Sequence, residues 1–481
     1  MSGVTRTRKT KIVCTIGPAT SSPEMIRRLI KAGMNVARLN FSHGDHESHG
    51  RVIRELRSAS RELGREIGVL MDLAGPKIRI GEISGSERRL ESGGEVALVS
   101  GRSCAGDELP VNYPYLYDDV EAGNSILIAD GQVELLVKGK KDGQVHCRVV
   151  AGGVITSHKG VNLPTSDLRI QALTDKDCLD LEFGLKEEVD FVALSFVRHE
   201  RDLAPVREII SRLDRPPLLI AKIEKPQALD RLENILKVVE GVMVARGDLG
   251  VEMPLEEVPF IQKRVIQEAR RAGKVVITAT QMLVSMVNNP RPTRAEVTDT
   301  ANAVLDGTDA VMLSEETTIG SYPVKAVKVL DKVCRLAEPY LDTERFLSEE
   351  FSRLLPPTDS AISRAASWLA KDLDPAAIMA ATTSGSTARL IARYRPPYPV
   401  VGLSSEPRTC RQLCLSWGVK PALILTCGNT EELAQEARRW ASEIGLAAPG
   451  DSLILTAGVP LAETGRTNMI KVIEMDGPRK T

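Results

Sequence analysis

The stretch LLIAKIE (218–224) is an apolar run that ends in two charged residues, Lys222 and Glu224. Continuous apolar runs rich in β-branched residues are typical of parallel strands that are buried on both faces. In a closed parallel barrel, functional residues gather at the carboxyl ends of the strands. Carboxylates, a lysine, an arginine and hydroxyls that meet there favour metal-assisted phosphoryl chemistry. Four more stretches follow the same plan: NVARLNFSHG (35–44), GVLMDLAGPKIR (68–79), GVMVARGD (241–248) and VVITATQ (275–281).

Strand-like runs alternate with helical patterns from residue 11 to about residue 340. Two helices have clear starts, one at Ser22-Pro23 and one at Thr174-x-x-Asp177, which is a capping-box pattern. Eight strand–helix units in a row predict an α/β fold built on a (β/α)₈ TIM barrel. The predicted strands are KIVCTIG (11–17), NVARLNF (35–41), IGVLMDL (67–73), DFVALSF (190–196), LLIAKIE (218–224), GVMVAR (241–246), VVITAT (275–280) and AVMLSEE (310–316).

The alternation breaks once, between the third and the fourth strand. Residues 77–163 are rich in glycine and in short alternating segments, which predicts an inserted all-β domain. Because the insertion follows the strand that carries Asp72, we expect it to cover the barrel mouth as a hinged lid. A passive insertion is the alternative. The barrel domain would then comprise residues 1–76 and 164–345.

A further α/β domain with a mainly parallel sheet is predicted for residues 346–481. Its strand-like runs are AAIMAATT (376–383), PVVGLSS (399–405), ALILTCG (422–428), SLILTAG (452–458) and NMIKVIEM (468–475).

The composition narrows the classes of partner. The 481 residues carry a net charge of −1 and no dense basic run beyond TRTRKTK near the start, which argues against nucleic acid. No apolar stretch approaches the roughly 20 residues that cross a bilayer, so no membrane partner is expected. The eight cysteines lack metal-finger spacing and are expected to be reduced thiols of a cytoplasmic protein.

Glu224 and Asp248 are candidate metal ligands. Each ends an apolar strand, where an unpaired carboxylate would be costly to desolvate. A hard cation such as Mg²⁺ would be a suitable partner, and the alternative is a salt bridge to Lys222 or Arg246. Lys222 shares a strand face with Glu224. It would either neutralise a transferring phosphoryl group or enolate, or act as a Schiff-base nucleophile if its pKa were lowered.

Arg38, Asn40 and Ser42 alternate along another strand and share a face. The guanidinium of Arg38 suits a phosphate group, and the alternative is an interior pair with Asp72. His43, His46 and His49 recur at intervals of three. They favour a solvated helix start over a zinc site, because no fourth ligand lies nearby.

TTSGSTARL (382–390) joins a strand to a helix in the last domain. It is either a phosphate site at a helix start or plain N-capping by Ser384 or Ser386. The chain contains neither a Walker-type P-loop nor a GxGxxG motif, so the common nucleotide-binding folds are not supported.

These motifs resemble those of the pyruvate kinase family from about residue 8 to residue 475. The resemblance implies a phosphotransferase that moves the phosphoryl group of phosphoenolpyruvate to ADP, giving pyruvate and ATP in the last step of glycolysis. It also implies a Mg²⁺ or Mn²⁺ cofactor, a regulatory C-terminal domain and a homotetramer. The motifs that carry it are KIVCTIGPAT, NVARLNFSHG, KGVNLP, AKIE, MVARGDLG, ATQML, RPTRAE, ANAVLDGTDAVMLS and ARYRP.

By this resemblance, Glu224 and Asp248 would hold the metal, Lys222 would stabilise the transferring group and the enolate, and Arg38 would bind the substrate phosphate. The substrate carboxylate would lie at Gly247, Asp248 and Thr280, with Thr280 near the face where the enolate is protonated. The implied nucleotide-binding residues are Asn40, Phe41, Ser42, His43, Arg79 and Lys176. The implied effector-phosphate loop, for AMP or a sugar phosphate, is Thr382, Thr383, Ser384, Gly385, Ser386 and Thr387.

One departure from the family concerns potassium. Many members bind K⁺ at positions that match Asn40, Ser42, Asp72 and Leu73, in a segment that resembles DTKGPEIRT. Here the segment reads DLAGPKIRI (72–80), so Lys77 replaces a glutamate. A lysine ammonium is a compact cation on a flexible stem, and it would take the place of K⁺. The sequence therefore predicts activity without added K⁺.

Two other classes remain open on the sequence. A metal-dependent C–C lyase on a related barrel would not need ADP or the residues Arg79 and Lys176. A catalytically silent binding protein would not need Lys222, Glu224, Asp248 and Thr280, all of which are present.

Overall fold

The computed structural model describes residues 7–103, 107–166, 168–349, 355–461 and 466–476. Its strands, in chain order, are β1 (Lys11–Thr15), β2 (Val36–Asn40), β3 (Gly68–Leu73), β4 (Glu87–Leu90), β5 (Glu95–Ser100), β6 (Leu109–Val111), β7 (Ser125–Ile128), β8 (Val133–Lys141), β9 (Gln144–Ala151), β10 (Gly153–Thr156), β11 (Val161–Asn162), β12 (Phe191–Leu194), β13 (Leu218–Ile223), β14 (Gly241–Ala245), β15 (Val275–Ala279), β16 (Ala310–Leu313), β17 (Ala377–Ala381), β18 (Val400–Ser404), β19 (Val419–Leu423), β20 (Ser452–Ala457) and β21 (Met469–Glu474).

The α-helices are α1 (Pro23–Ala32), α2 (His46–Leu63), α3 (Leu116–Asp119), α4 (Asp175–Lys186), α5 (Ala204–Ile210), α6 (Pro226–Asp230), α7 (Leu232–Val238), α8 (Arg246–Glu252), α9 (Val258–Arg271), α10 (Arg294–Asp306), α11 (Glu315–Thr318), α12 (Pro323–Ala337), α13 (Thr343–Ser348), α14 (Pro357–Leu373), α15 (Ser386–Ala392), α16 (Pro407–Leu413) and α17 (Thr430–Glu443). Short 3₁₀ helices cover Glu200–Leu203, Val284–Val287 and Glu338–Tyr340.

A closed barrel of parallel strands forms the centre of the molecule, in the order β1-β16-β15-β14-β13-β12-β3-β2. All eight predicted barrel strands are confirmed. Their side chains alternate between the inside and the outside of the barrel. Val13, Leu70, Ile220 and Ile277 pack together in one buried cluster inside the barrel. The outward residues pack on the surrounding helices in a larger cluster, which explains why these strands read as continuous apolar runs.

The segment between β3 and β12 carries a separate β structure, as predicted. Six of its strands form one sheet in the order β11-β7-β8-β9-β5-β6, and β10 pairs with β4. This region has its own buried cluster, which includes Ile126, Leu135 and Val145. The one-turn helix α3 is the single helix among its described residues.

The C-terminal region contains a five-stranded sheet in the order β19-β18-β17-β20-β21. The sheet is parallel except for β21, which pairs antiparallel with β20. The predicted strand ALILTCG was placed too late in the chain. The observed β19 ends at Leu423, and beyond it Ile424 N–H donates one bond to Ser404 O before Leu425 turns out to solvent, 73% exposed.

Both predicted helix starts are confirmed. Ser22 caps α1 by accepting a hydrogen bond from Met25 N, with Pro23 at the first helical position. Thr174 and Asp177 form the predicted capping box of α4. The domain boundaries at residues 76/77, 163/164 and 345/346 stay predictions. Within the described residues, no helix is both long and apolar enough to span a bilayer.

Candidate active site at the barrel mouth

Arg38 and Asp72 form an ion pair between neighbouring barrel strands. Arg38 Nε donates to Asp72 Oδ2 at 2.7 Å, and Nη1 donates to Thr15 Oγ1 at 3.0 Å. Burial opposes the negative charge of Asp72, but the cations Lys222 and Arg38 outweigh it and hold the pKa of this carboxyl below its ordinary value. The interior pairing that the sequence left open is therefore present. It also fixes the guanidinium at the mouth, where 12% of the side chain remains exposed.

Lys222 lies at the centre of the predicted site. Its Nζ lies 2.9 Å from Glu224 Oε1 and 3.3 Å from Asp72 Oδ1, and it donates to Ser195 Oγ at 2.7 Å. Burial alone would lower the pKa of Lys222, but the charges of Asp72 and Glu224 raise it above the ordinary value. A Schiff-base nucleophile needs the opposite shift. The raised pKa favours the charged form of Lys222, and its three partners fix the position of the ammonium.

Glu224 and Asp248 fit a divalent cation. The buried Glu224 Oε1 and Asp72 Oδ1 share the Lys222 ammonium, at 2.9 and 3.3 Å, and neither accepts a well-aligned hydrogen bond within the described residues. Burial raises the pKa of Glu224, and the charge of Asp248 adds to this while Lys222 opposes it. A second cation would relieve this excess of negative charge.

The donor set also fits the ion. No group of three or more His, Cys, Asp or Glu side chains converges in the described residues. Two carboxylates with open coordination positions suit Mg²⁺, which keeps waters or substrate oxygens as its other ligands. Of the two predicted salt-bridge partners, Lys222 does pair with Glu224, at 2.9 Å, whereas Arg246 pairs with Asp299 at 2.7 Å.

Gly247 and Thr280 meet where β14 and β15 end. Gly247 N donates to Thr280 Oγ1 at 2.7 Å. Thr280 has a φ of +66° and the next residue, Gln281, a φ of +55°. Such a conformation is costly for a β-branched residue and is often found at functional sites. The predicted carboxylate-binding residues are thus brought together on a strained turn.

The predicted nucleotide residues fall into two groups. On the barrel, Lys176 Nζ donates to Phe41 O at 2.7 Å and pairs with Asp180. Ser42 N donates to Asn40 Oδ1 at 3.2 Å. Arg79 belongs to the base of the β insertion, where its Nη1 donates to His158 O at 2.9 Å. The described structure shows no direct contact between Arg79 and Lys176, so this part of the prediction stays open.

Lys77 lies at the edge of a cleft of about 660 Å³ between the β insertion and the barrel. The cleft is also lined by Phe196, Lys225 and Asp248 of the barrel. Lys77 is exposed, and within the described residues it makes no ion pair with Asp72. Lys77 therefore lies at the barrel mouth, but in the described structure it does not pair with the predicted potassium-site residue Asp72. The other predicted potassium-site residues are Asn40, Ser42 and Leu73.

The predicted effector loop borders a cavity of about 680 Å³. Thr382, Thr383, Ser384, Ser386 and Thr387 line it. The N-capping alternative was wrong, because the N-cap position of α15 is taken by Gly385, which has a φ of +82°, and no side chain caps the helix. The loop hydroxyls of Ser384 and Ser386 lie 3.3 Å apart instead.

His46 and His49 lie in the first turn of α2, which has Asp45 as its N-cap, and His43 precedes that cap. His46 Nε2 lies 2.8 Å from Asp180 Oδ1, and the His49 ring stacks on Phe41 with centroids 4.3 Å apart. These contacts agree with a helix start beside the site.

Three residues with evident roles were missed by the sequence reasoning. Ser195 accepts from Lys222, and Phe196 N donates to Glu224 Oε2 at 2.8 Å. Both end the predicted strand DFVALSF, so the strand-end rule could have found them. Asn162 of the insertion donates to Glu252 of the barrel at 2.6 Å, and no local sequence pattern predicts that contact.

The fold and this strand-end site define a (β/α)₈-barrel enzyme with an inserted β structure. Comparisons with known proteins then give the family. The pyruvate kinase barrel-domain model matches residues 7–327, and the pyruvate kinase alpha/beta-domain model matches residues 360–473. Pyruvate kinase 2 of Synechocystis sp. is 46% identical over 470 residues, covering 97% of this chain and 79% of that protein. Pyruvate kinase of Clostridium acetobutylicum is 42% identical, covering 97% and 99%.

A crystal structure of a pyruvate kinase from Cryptosporidium parvum superposes with a TM-score of 0.92 at 37% identity, covering 97% of this chain and 96% of that one. The chain belongs to the pyruvate kinase family. It is accordingly a phosphotransferase of class EC 2.7.1.40.

Proposed function

We propose that the residues at the barrel mouth carry out phosphoryl transfer from phosphoenolpyruvate to ADP, with Lys222 as the central catalytic cation. The observation that carries this proposal is the setting of Lys222, which is 9% exposed and held by Asp72, Glu224 and Ser195. A phosphoryl group in transfer needs little covalent assistance, so positioned charge supplies most of the catalysis.

Arg38 binds the substrate phosphate in this proposal. Its pair with Asp72 and its bond to Thr15 fix the plane of the guanidinium. A fixed fork of N–H donors matches phosphate oxygens and loses little side-chain entropy on binding. Lys222 then neutralises the oxygens of the group that leaves and the enolate that remains.

Glu224 and Asp248 hold the divalent metal, which we take to be Mg²⁺ or Mn²⁺. When bound, the ion supplies positive charge to substrate oxygens. The burial of Glu224 and the nearby Asp248 support this assignment. Without the ion, the carboxylates of Glu224 and Asp248 would share the single cation Lys222. This excess of negative charge favours tight binding of the metal.

Gly247, Asp248 and Thr280 position the carboxylate of the substrate in this proposal. The hydrogen bond between Gly247 N and Thr280 Oγ1 supports a common location. Thr280 Oγ1 also donates to Ala279 O at 2.6 Å, so its hydroxyl is held in place. A held hydroxyl near the enolate is suited to guiding the proton that completes pyruvate.

ADP is proposed to bind between the barrel residues Asn40, Phe41, Ser42, His43 and Lys176 and the insertion residue Arg79. In this proposal the insertion acts as a lid that brings Arg79 to the barrel residues when it closes. The hydrogen bond from Asn162 to Glu252 lies at the junction of lid and barrel.

We further propose that the enzyme works without K⁺. Lys77 lines the cleft that Asp248 also lines, and its flexible stem allows the ammonium to reach the site when the lid closes. On the family resemblance, we propose that AMP or a sugar phosphate regulates the enzyme through the loop Thr382–Thr387. On the same ground, we propose a homotetrameric assembly. The hydroxyl-lined cavity at that loop supports the former.

Phosphorus NMR tests the proposed reaction directly. Phosphoenolpyruvate, ADP and Mg²⁺ are mixed with the enzyme, and the phosphorus of phosphoenolpyruvate should appear as the terminal phosphate of ATP. Pyruvate should form only when ADP is present. Pyruvate formation without ADP would instead favour the lyase class and would contradict the proposal.

A further inference from the structure

The two proposed metal ligands follow neighbouring strands of the barrel. Glu224 comes directly after β13, and Asp248 lies in the first turn of α8, which follows β14. β13 and β14 pair in parallel, and the charge of Asp248 acts on Glu224. A second pair of charged residues lies just beyond the ligands, because Lys225 follows Glu224 in the chain and Glu252 lies one helical turn after Asp248. A contact between Lys225 and Glu252 would therefore bear on the separation of the two ligands.

Lys225 and Glu252 do form an ion pair, and it is largely buried. Lys225 Nζ lies 2.5 Å from Glu252 Oε1, and the two side chains are 11% and 1% exposed. Separation of such a pair would leave a buried charge without its partner, so the pair resists displacement. It therefore ties the chain segment that carries Glu224 to the helix that carries Asp248.

Asn162 of the insertion joins the same pair. Its Nδ2 donates to Glu252 Oε1 at 2.6 Å, so one carboxylate oxygen is shared by the lysine and the asparagine. Asn162 ends β11, which is the last strand of the insertion before the barrel strand β12. Asn162, Lys225 and Asp248 also line the cleft of about 660 Å³ between the insertion and the barrel. The insertion is thus connected, through a single glutamate, to the helix that carries Asp248.

Glu252 is unfavourable for the stability of α8 itself. It is the last residue of the helix, where a carboxylate opposes the helix dipole. It lies four residues after Asp248, and like charges at this spacing repel each other. Its Oε2 is buried and has no hydrogen-bond partner within the described residues. These costs indicate that Glu252 serves its contacts outside the helix, with Lys225 and Asn162.

The position of α8 depends on such outside contacts. The helix has only seven residues and no side chain caps its start, and a helix this short is not stable alone. At the start, Arg246 Nη2 donates to Thr280 O at 2.7 Å. At the other end, Glu252 is held by Lys225 and Asn162. Loss of the contacts at Glu252 would therefore free one end of the helix that positions Asp248.

We propose that Lys225 and Glu252 are positioning residues that set the separation of Glu224 and Asp248 for the divalent metal, and that Asn162 links this separation to the insertion. The inference rests on the proposed function, which takes Glu224 and Asp248 as the metal ligands. Mg²⁺ requires nearly ideal octahedral geometry, so a small displacement of one carboxylate lowers its affinity. Because coupling between two events is reciprocal, a metal that favours one position of α8 also favours one position of the insertion.

Binding of Mn²⁺ without substrates, followed by electron paramagnetic resonance of the free ion, tests the positioning role. Lys225→Met combined with Glu252→Gln removes one charge of each sign, so the net charge near the metal is unchanged and no buried charge is left unpaired. This double variant should bind Mn²⁺ roughly tenfold more weakly. Lys237→Met combined with Glu233→Gln removes an exposed pair and should bind as wild type does. Wild-type affinity in the first double variant would overturn the proposal.

Asn162→Ala tests the link to the insertion and leaves the ion pair in place. Loss of this hydrogen bond should weaken Mn²⁺ binding roughly two- to tenfold. Gln144→Ala is the matched control, because Gln144 donates to Glu108 at 2.8 Å within the insertion, and it should leave the affinity unchanged. An unchanged affinity in Asn162→Ala would show that the insertion does not act on the metal site.

Asp248→Asn separates this inference from the proposed function. It should abolish tight Mn²⁺ binding. If it does so while the Lys225/Glu252 double variant and Asn162→Ala both bind as wild type does, the positioning inference alone is wrong. If Asp248→Asn itself binds Mn²⁺ as tightly as wild type, the proposed metal site is wrong, and this inference is overturned with it.

Discussion

Lys222 shares its surroundings with more negative than positive charge. Asp72 and Glu224 contact it directly, and Asp248 acts on it from farther away. Arg38 balances Asp72. This leaves Glu224 and Asp248 as the carboxylates with too little positive charge, so the same charge count supports both a fixed lysine and a divalent cation.

Replacement of Lys222 tests its proposed role as the central catalytic cation. Lys222→Met keeps the length of the side chain and removes its charge, so kcat should fall by about 10²–10³-fold, the usual cost of losing one preorganised stabiliser. Steady-state kinetics with phosphoenolpyruvate and ADP measure it. Lys237→Met, which removes an exposed lysine paired with Glu233, is the control and should keep wild-type kcat. A Lys222→Met enzyme of normal kcat would contradict the role.

The stability of the enzyme is expected to depend on pH through Lys11, which is buried at the end of the barrel opposite the mouth. Its Nζ donates to Val419 O, and burial lowers its pKa from 10.5 to about 8. Cys414, Arg8, Glu338 and Asp309 act on it from the elements packed around it. Because the folded pKa is lower than the unfolded pKa, the unfolded chain binds more protons between these values. The contribution of Lys11 to stability therefore rises as pH increases from about 8 to 10.5, by up to about 3 kcal/mol.

The difference between wild type and Lys11→Met removes the titration of the buried cysteines that do not interact with Lys11, and it leaves the contribution of Lys11 together with its coupling to Cys414. The unfolding free energy of wild type minus that of Lys11→Met should increase as pH rises across this range. Lys31→Met removes an exposed lysine of α1 and should follow the wild-type profile. A constant difference between wild type and Lys11→Met would contradict the prediction.

At the residue scale, the sequence identifies side chains but not their partners. Arg38, Lys222, Glu224 and Asp248 were found because each ends an apolar run. The bond from Arg38 to Thr15 joins residues 23 positions apart, and that from Lys222 to Ser195 joins residues 27 apart. Such contacts depend on the order of strands around the barrel, which a pattern in one strand does not contain.

Among the elements, α4 links local sequence most clearly to function. Thr174 Oγ1 accepts from Asp177 N at 3.1 Å, and Asp177 Oδ2 accepts from Thr174 N at 2.9 Å. The helix presents Lys176 in its first turn beside Phe41. The start of this helix therefore places a proposed nucleotide-binding residue.

Loss of this cap should affect both stability and ADP binding. Thr174→Ala should lower the free energy of unfolding by about 1 kcal/mol and raise the KM for ADP, since Lys176 loses its fixed position. Ser22→Ala removes the comparable cap of α1, far from Lys176, and should destabilise the enzyme without changing that KM. Equal effects of the two variants on the KM would argue against α4 as a nucleotide-positioning element.

The elements were predictable where a local rule governs them. The barrel strands and the two helix caps follow from apolar runs and from side-chain oxygens at N-cap positions. The end of β19 was not predictable, because LTCG continues the apolar run while the sheet partner β18 already ends at Ser404. The strained φ of Thr280 was also hidden, since no threonine pattern announces a left-handed conformation.

For the whole molecule, the buried carboxylate of Asp190 joins the C-terminal region to the barrel. Asp190 is 0% exposed, and its carboxylate pairs with Arg57 at 2.9 Å and with Arg411 of α16 at 2.7 Å. It also accepts from Val69 N of β3 at 2.9 Å. Leu415 packs in the cluster inside the barrel, so the C-terminal region closes the end opposite the mouth.

Asp190→Asn should therefore destabilise the enzyme strongly. The substitution leaves two largely buried arginines without their counter-charge, a change that costs about 3–5 kcal/mol. Urea unfolding measures it. Glu233→Gln breaks the exposed pair with Lys237 and should cost about 0.3–0.5 kcal/mol. A loss for Asp190→Asn no larger than for the control would show that this junction does not stabilise the fold.

The most direct test of the proposed chemistry is the rate of pyruvate formation from phosphoenolpyruvate, ADP and Mg²⁺ in buffer that contains only sodium or Tris salts, followed by addition of K⁺. The account predicts full activity before K⁺ is added and no further increase after it. Activity that appears only with K⁺ would remove the role given to Lys77. No activity under either condition, with folded protein and with AMP and sugar phosphates present, would contradict phosphoryl transfer at this site.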